Sequence, residues 1–388
     1  MNISVFNGAG QVDYMYGLVS GLAHNKADEI DVLDVDLTSD IFQTFSNVNY
    51  HPVFRVLPRS SPFYSKATNT LRFYSLQIWF LISKKARIVH FQWLDRFIYV
   101  DRIVLPLIAR LSGHRVVLTV HNINAGKRDK RDSFGNRMSL KILYRLANRL
   151  IVHTEKSKEE LMAEFPIKES KIAVIKHGMN NRVTISGLSA SQARKQLQIN
   201  EQEKVVLFFG NIDYYKGLDI LLDSFREMPE KFLSETRLLI AGNSKSPEYS
   251  ALIQKKIEAP EIRDRVSASF GYIRDEDVEM YFMAADCIVL PYRNIYQSGV
   301  IFMAYTFGLP LIVADIGNFR NDMVEGETGF LINMDEPAQV GKTLLKYFDS
   351  GMYRNLPETR EKIKNWAWQN YSWDQIGAET RKLYESIR

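Results

Sequence analysis

The sequence predicts an α/β protein built from two Rossmann-like parallel-sheet domains. Short β-branched and aromatic runs alternate with longer helix-compatible segments, the pattern of parallel strands with helices on both faces. The alternation runs once, passes through the polar stretch 183–203 and restarts. With 388 residues, 46% of them hydrophobic and 24% charged, the chain is composed for two cores of ordinary domain size rather than for disorder.

In the first half the predicted strands are ISVF (3–6), IDVLDV (30–35), RIVHFQW (87–93), VVLTVHN (116–122), RLIVHT (149–154) and KIAVIKHG (171–178). After the restart come VVLFFG (205–210), RLLIAG (237–242), VSASFGYI (266–273), CIVLPY (287–292) and LPLIVAD (309–315). The restart places a domain boundary near 180–200. No short repeat appears, so the halves read as similar architectures with unrelated sequences.

Composition narrows the setting. The single cysteine, Cys287, lies in the apolar run CIVLP and reads as a core thiol, which leaves no disulfide framework. No signal-peptide pattern opens the chain, so a reducing cytoplasm is expected. No stretch reaches the roughly 18 apolar residues of a bilayer span. Residues 54–160 carry 21 Lys/Arg against 7 Asp/Glu. That imbalance either attracts phosphates of nucleic acid, anionic lipid or a phosphorylated acceptor, or is solvated surface.

In open parallel sheets ligands bind beyond the carboxyl ends of the strands, so the loops after these strands are the candidate sites. Gly8-Ala9-Gly10-Gln11 follows the first strand and opens a helical segment, where glycines admit a ligand to the backbone and a helix N-terminus favours anions. The third glycine of a dinucleotide fingerprint would fall on Asp13, yet Asp34 and Asp36 near the second strand keep a nicotinamide or flavin reading open. Asp34-Val35-Asp36 also mimics a metal-binding carboxylate pair, although its place within a strand favours a strand with one solvated edge.

His121 ends the strand VVLTV ahead of the basic GKRDKRD. Its imidazole either donates to a hydroxyl or a developing charge, or is a core or capping histidine. His90 and His177 are also read as ending strands. Lys216, behind Gly210 and before a helix, is placed to grip a diphosphate as a point charge, with a solvated loop lysine as the alternative. The loop Tyr292–Val300, with Arg293, Gln297, Ser298 and Gly299, opens another helix as a phosphate cradle.

Taken in order, HFQW (90–93), TVHN (119–122), HTEKSKEEL (153–161), IKHG (175–178), FFGNIDYYKGLDILL (208–222), IAGN (240–243), AADCIVLPYRNIYQSGV (284–300) and FGLPLIVADIGN (307–318) resemble the family-four retaining glycosyltransferases over almost the whole chain. The ending YSWDQIGAETRKLY (371–384) looks like that family's closing helix. The resemblance implies a GT-B fold, two Rossmann-like domains facing each other across a cleft. Residues 1–185 would bind the acceptor, with a C-terminal helix of about 366–388 packing back on them, and residues 186–365 would bind the nucleotide sugar. It implies metal-independent transfer with retained anomeric configuration and no cofactor.

Lys216 matches the family's lysine on the donor phosphates, His121 the histidine beside the transferred sugar, and Gly10 the glycine loop near both substrates. Backbone at Tyr272 and Ile273 would meet the base. Gly210, Asn211, Arg293, Gln297, Ser298, Gly299 and Val300 complete the donor side; Gln11, His90, Trp93 and Asn122 are the acceptor-side candidates. The implied partners are a nucleotide sugar and a glycan or lipid-linked glycan, in cell-surface polysaccharide synthesis, in the cytoplasm or at the inner face of the cell membrane.

Three positions depart from the family pattern. Asn211 stands where an arginine is usual, with Arg293 as a substitute cation. The usual pair of glutamates falls on Ile295 and Met303, with Gln297, Ser298 and Gly299 (QSGV) as alternative hydrogen-bonding groups. Asn321-Asp322 replaces a glutamate in the following segment. A non-catalytic or degenerate nucleotide-binding protein, and an NAD-dependent dehydrogenase, remain competing readings. A nucleic-acid partner is not expected, since no zinc spacing, helix-turn-helix or RNA motif is present. The basic, aromatic 54–110 region, with Phe73, Trp79, Lys84, Lys85 and Arg87, reads instead as a peripheral face for an anionic membrane.

Overall fold

The computed structural model describes the chain except residues 9–11, 36–38, 59, 85–86, 95, 129–131, 245, 296–297 and 336–337, and the side chains of Ser39 and Arg128. Contacts divide it into two compact units: Met1–Gly178 with Tyr371–Arg388, and Met179–Asn370.

The first unit holds a seven-stranded sheet. Its strands are β1 (Asn2–Asn7), β2 (Glu29–Val35), β3 (Val48–Phe54), β4 (Ile88–Trp93), β5 (Arg115–Thr119), β6 (Arg149–Val152) and β7 (Ile172–Val174), in the order β3-β2-β1-β4-β5-β6-β7. Every pairing is parallel. The central strands read as continuous apolar runs because both faces are covered: Ile3, Val5, Ile88, Val89 and Phe91 are fully buried. The sequence does not mark β3 as a strand. Its sequence, VNYHPVF, mixes polar residues with a proline, which only an edge strand tolerates. It pairs with β2 alone, and the register slips at Asp34/Val35, beside Pro52 and Phe54.

Helices α1 (Val12–Ala23), α2 (Phe63–Ser83), α3 (Leu105–Leu111), α4 (Phe134–Leu146) and α5 (Glu155–Glu164) connect these strands. Ser133 and Thr154 cap α4 and α5 by accepting from Asn136 N and Ser157 N, as N-cap hydroxyls do.

The second unit has a six-stranded parallel sheet: β8 (Lys204–Phe209), β9 (Thr236–Gly242), β10 (Val266–Phe270), β11 (Cys287–Leu290), β12 (Leu311–Ala314) and β13 (Gly329–Ile332), ordered β10-β9-β8-β11-β12-β13. β13, a four-residue edge strand, was the other strand unmarked in the sequence. Cys287 is buried in β11. Helices α6 (Leu218–Arg226) and α7 (Gly299–Thr306) follow β8 and β11.

The chain closes with α8 (Trp373–Glu385), which packs on α1. Glycines set that approach. A Cβ on Gly21 would lie 2.1 Å from Trp373 O and 3.2 Å from Gly377 Cα, and one on Gly17 would lie 2.0 Å from the Trp373 indole. Arg381 on α8 reaches Asp28 at 2.7 Å. In each sheet the strand order reverses at one point, between β1 and β4 and between β8 and β11; a crevice for ligand opens there, at the strand carboxyl ends.

Candidate functional site

In the second unit several predicted residues converge at the β8/β11 reversal. Gly210 ends β8 with φ +105°, and a Cβ built there would lie 3.4 Å from both Lys216 Nζ and Val300 Cγ2. Lys216 sits on a short turn, Tyr214–Lys216, and is only 6% exposed. Gly217 then starts α6 at φ +67°; its missing Cβ would fall 2.1 Å from Pro291 O, so the turn presses against the end of β11. Lys216 Nζ donates to Tyr292 Oη at 3.0 Å, and Tyr292 Oη lies 3.5 Å from Ser298 Oγ. Ser298 caps α7 by accepting from Val300 N.

Burial is the largest influence on the Lys216 ammonium and pulls its pKa down, but Tyr292, Tyr215 and Asp213 outweigh it and leave the pKa above the ordinary value. A buried cation therefore stands beside a glycine loop and a helix N-terminus, bonded to the Tyr292 hydroxyl and, among the described residues, paired with no carboxylate. That arrangement suits an anion with several oxygens.

Arg293 is spent differently from expectation. Its guanidinium forks onto Asp219 at 2.8 and 2.6 Å, and Nη1 also donates to Tyr214 O at 2.7 Å. Tyr249 Oη donates to Asp219 at 2.6 Å. The arginine thus clamps the turn that carries Lys216, and its charge is already matched. Asn211 is exposed, and Gly299 opens α7. Tyr272 and Ile273 follow the edge strand β10, with Tyr272 exposed and 3.4 Å from Asp275. Gln297 lies outside the described residues.

The first unit gathers a second constellation. His121 follows β5 and stacks on Trp93, ring centroids 3.7 Å apart and planes at 11°. Tyr14 meets it edge-on at 4.6 Å. His153 Nε2 is 3.2 Å from His121 Nδ1, and the Gln92 amide oxygen is 3.3 Å from His121 Nε2. A cavity of about 40 Å³ beside them is lined by Gln92, Trp93, Arg102, His121 and Asn122, among others. Gly8, at the end of β1, is pressed to β4: a Cβ would lie 2.2 Å from Trp93 O. Gly10 and Gln11 lie outside the described residues.

His90 does not end its strand. It is completely buried within β4, with Nδ1 2.6 Å from Tyr384 Oη and Nε2 2.8 Å from Thr119 Oγ1, so it is a core histidine facing α8. The residue missed in its place is His153, at the end of β6. The sequence carried a signal for it: β5, β6 and β7 are each followed closely by a histidine, and neighbouring parallel strands bring such positions together. His153 and His177 indeed lie 5.5 Å apart, centroid to centroid. Burial pushes the pKa of His153 down to about 4 and, with the charge of His153 added, those of His90 and His177 down to about 3; His121 is driven well below its ordinary value for the same reasons.

Asp34, buried, accepts from the Asn7 amide at 3.0 Å; Asp36 lies outside the described residues. Among the described residues no group of three or more His, Cys, Asp or Glu side chains could hold a metal ion, and no helix is long and apolar enough to cross a membrane. Phe73, expected on a membrane face, belongs to the core: it is buried and packs edge-on against Phe54 at 5.5 Å. Trp79 is exposed, Lys84 lies 3.8 Å from Asp31, and Lys85 lies outside the described residues.

The model of the glycosyl transferases group 1 matches residues 189–368, and that of glycosyltransferase family 4 matches residues 8–182. An uncharacterized glycosyltransferase of Methanocaldococcus jannaschii is 23% identical over 379 residues, 95% of this chain and 92% of that one. A D-inositol 3-phosphate glycosyltransferase of Corynebacterium efficiens is 25% identical over 281 residues, 69% of this chain; the alignment spans 65% of that enzyme, just under two thirds of its length. Anabaena HepE, solved in complex with UDP-glucose, has a TM-score of 0.76 at 15% identity, covering 100% of both chains. Matched in both units and alike in fold from end to end, the chain belongs to the family-four glycosyltransferases of the GT-B fold.

Proposed function

We propose that this glycosyltransferase moves a sugar from a nucleoside diphosphate donor, held by the second unit, to a glycan or lipid-linked acceptor bound by the first, with retention and without a metal. One observation carries the reading: the buried, charged Lys216 joined to Tyr292, beside Gly210 and the Ser298-capped α7. A diphosphate leaving group gathers negative charge as the glycosidic bond breaks, and preorganised cations and backbone donors stabilise it. In this scheme the anomeric C–O(phosphate) bond breaks while the acceptor oxygen bonds the same face of that carbon. The acceptor proton passes to the departing phosphate oxygen, so no carboxylate base is required; this fits Ile295 and Met303 standing at the glutamate positions.

UDP is the first donor base to try, since HepE was solved with UDP-glucose. The inositol phosphate enzyme makes a phosphorylated acceptor a candidate. The exposed aromatic and aliphatic side chains of α2 and α3 support a membrane-surface setting for a lipid-linked acceptor in surface polysaccharide synthesis.

The test is thermal stabilisation by UDP, GDP, ADP and NAD in EDTA, because a ligand of the folded state alone raises its apparent stability. One nucleotide is expected to stabilise the protein, and Lys216→Ala to abolish that shift and lower kcat/KM about 10²-fold or more. With the matching sugar nucleotide, the anomeric proton coupling of the product reports retention. Stabilisation without turnover would establish the non-catalytic reading; stabilisation by NAD alone would establish the dehydrogenase.

A further inference from the structure

The first unit has another concavity, of about 510 Å³, at the opposite end of its sheet, where β6 and β7 begin. Arg110, Lys141, Arg145, Arg149, Lys168 and Lys171 line it, and no carboxylate does among the described residues. Tyr144 and Phe165, edge to face at 5.1 Å, contribute its apolar wall.

Two of these cations have an ordinary explanation. Arg110 and Arg145 lie in the last turns of α3 and α4, where the helix dipole favours positive charge. Arg149 opens β6, while Lys168 and Lys171 belong to the segment before β7, so that explanation does not reach them. Lys171 Nζ donates to Arg145 O at 2.9 Å and Arg149 Nη1 to Asn148 O at 3.3 Å, both backbone carbonyls. Glu169, the acid nearest in sequence, turns instead to Lys158 at 2.7 Å. None of the six makes an ion pair among the described residues. Burial, then the neighbouring Arg110, Arg145 and Arg149, push the Lys171 ammonium down to about 8, as crowding of like charges does.

We propose that this pocket binds a phosphate-bearing anion, gripped by Arg110, Arg145 and Arg149 as planar forks and by Lys171 as a point charge. The site is separate from the Lys216 constellation, which lies in the other unit, and it is read without any turnover. A phosphate placed here offers the missing negative charge, so its binding and the protonation of Lys171 reinforce each other.

The test follows Lys171 itself. Its signal in ¹³C-dimethylated full-length protein, assigned with Lys171→Arg, is titrated with pH alone, with inorganic tripolyphosphate, and with phosphatidylglycerol vesicles. The midpoint is expected below the other lysines without ligand and to rise toward the ordinary range with ligand. Arg110→Ala/Arg145→Ala is expected to weaken that response about tenfold or more. A response to tripolyphosphate identifies a free anion, and one confined to vesicles identifies a lipid headgroup. No response to either probe, or an undiminished one in the double variant, overturns the proposal.

Discussion

Hydrogen-bond chemistry fixes more about His121 than its position does. His153 Nδ1 lies 2.9 Å from Ile175 O, and a carbonyl only accepts, so Nδ1 of His153 carries the proton. With the His153 pKa near 4 the ring is neutral, leaving Nε2 a lone pair that must accept from His121 Nδ1. His121, also neutral, then presents an unprotonated Nε2 to Gln92, and an amide turned with its nitrogen to His121 places its oxygen at His90 Nε2, which donates to it while His90 Nδ1 accepts from Tyr384 Oη. Should His121 take a proton at Nε2, the opposite amide orientation accepts it and donates to His90 Nε2, so Gln92 matches both states when the His90 proton moves to Nδ1, beside Tyr384 Oη. His153 is therefore a positioning residue for His121. In ¹⁵N spectra at pH 7.5, His121 is expected to show a protonated Nδ1 and a bare Nε2, and His153→Phe to give mixed tautomers. Transfer should fall about tenfold while nucleotide binding stays unchanged, and stability should drop by about 1–3 kcal/mol because Ile175 O and His121 lose a partner. A proton on His121 Nε2 in the unaltered protein would sink the assignment. Such coupling was only half legible in the sequence. The histidines were visible, but strand ends alone could not separate His90, turned into the core, from His153, turned toward His121. Arg293 reads as a spare cation in the sequence because its partner Asp219 lies 74 positions away.

At the scale of elements, strands with continuous apolar runs announced themselves, whereas the edge strands β3 and β13 did not. β3 carries Pro52 and alternating polar residues, and β13 has only four residues, so neither has the pattern of a strand buried on both faces. Helix α2 shows what burial decides and sequence does not. Phe73 and Phe80 turn inward, while Phe63, Tyr64, Leu71, Trp79 and Ile82 stay exposed, and the neighbouring α3 exposes Leu107 and Leu111. Apolar side chains on two packed helices, within a segment rich in Lys and Arg, form an amphipathic surface suited to anionic lipid interfaces. The protein is expected to sediment with phosphatidylglycerol vesicles at low salt. The combined change Leu71→Ser, Trp79→Ser, Leu111→Ser should cut the partition coefficient about tenfold or more while leaving the melting temperature nearly unchanged, since exposed side chains contribute little to the core. Equal sedimentation by the triple variant would remove this face from membrane binding.

For the whole molecule, the distribution of histidine separates the two units in their response to acid. All seven histidines lie within residues 1–178, and residues 179–370 contain none. His90, His153 and His177 are held neutral by burial, with folded-state values of about 3, 4 and 3, and His121 is lowered in the same way. The unfolded chain binds these protons near pH 6.5 and the folded unit does not. The stability they contribute is therefore complete above about pH 6.5 and is lost as pH falls toward the folded-state values. Each group with a folded value near 3 or 4 costs roughly 2 kcal/mol between pH 7 and pH 5, and their coupling makes the sum less than additive. Several kcal/mol is a large share of the stability of one domain. Hydrogen exchange at pH 7 and pH 5, corrected for intrinsic rates, should show protection falling in β1, β4, β5 and β6 while β8, β9 and β11 keep theirs. His177→Asn should shrink the loss by removing one of the titrating rings. A uniform loss across both sheets would instead trace the acid response to carboxylates shared by the two units, and not to the histidine cluster behind His121.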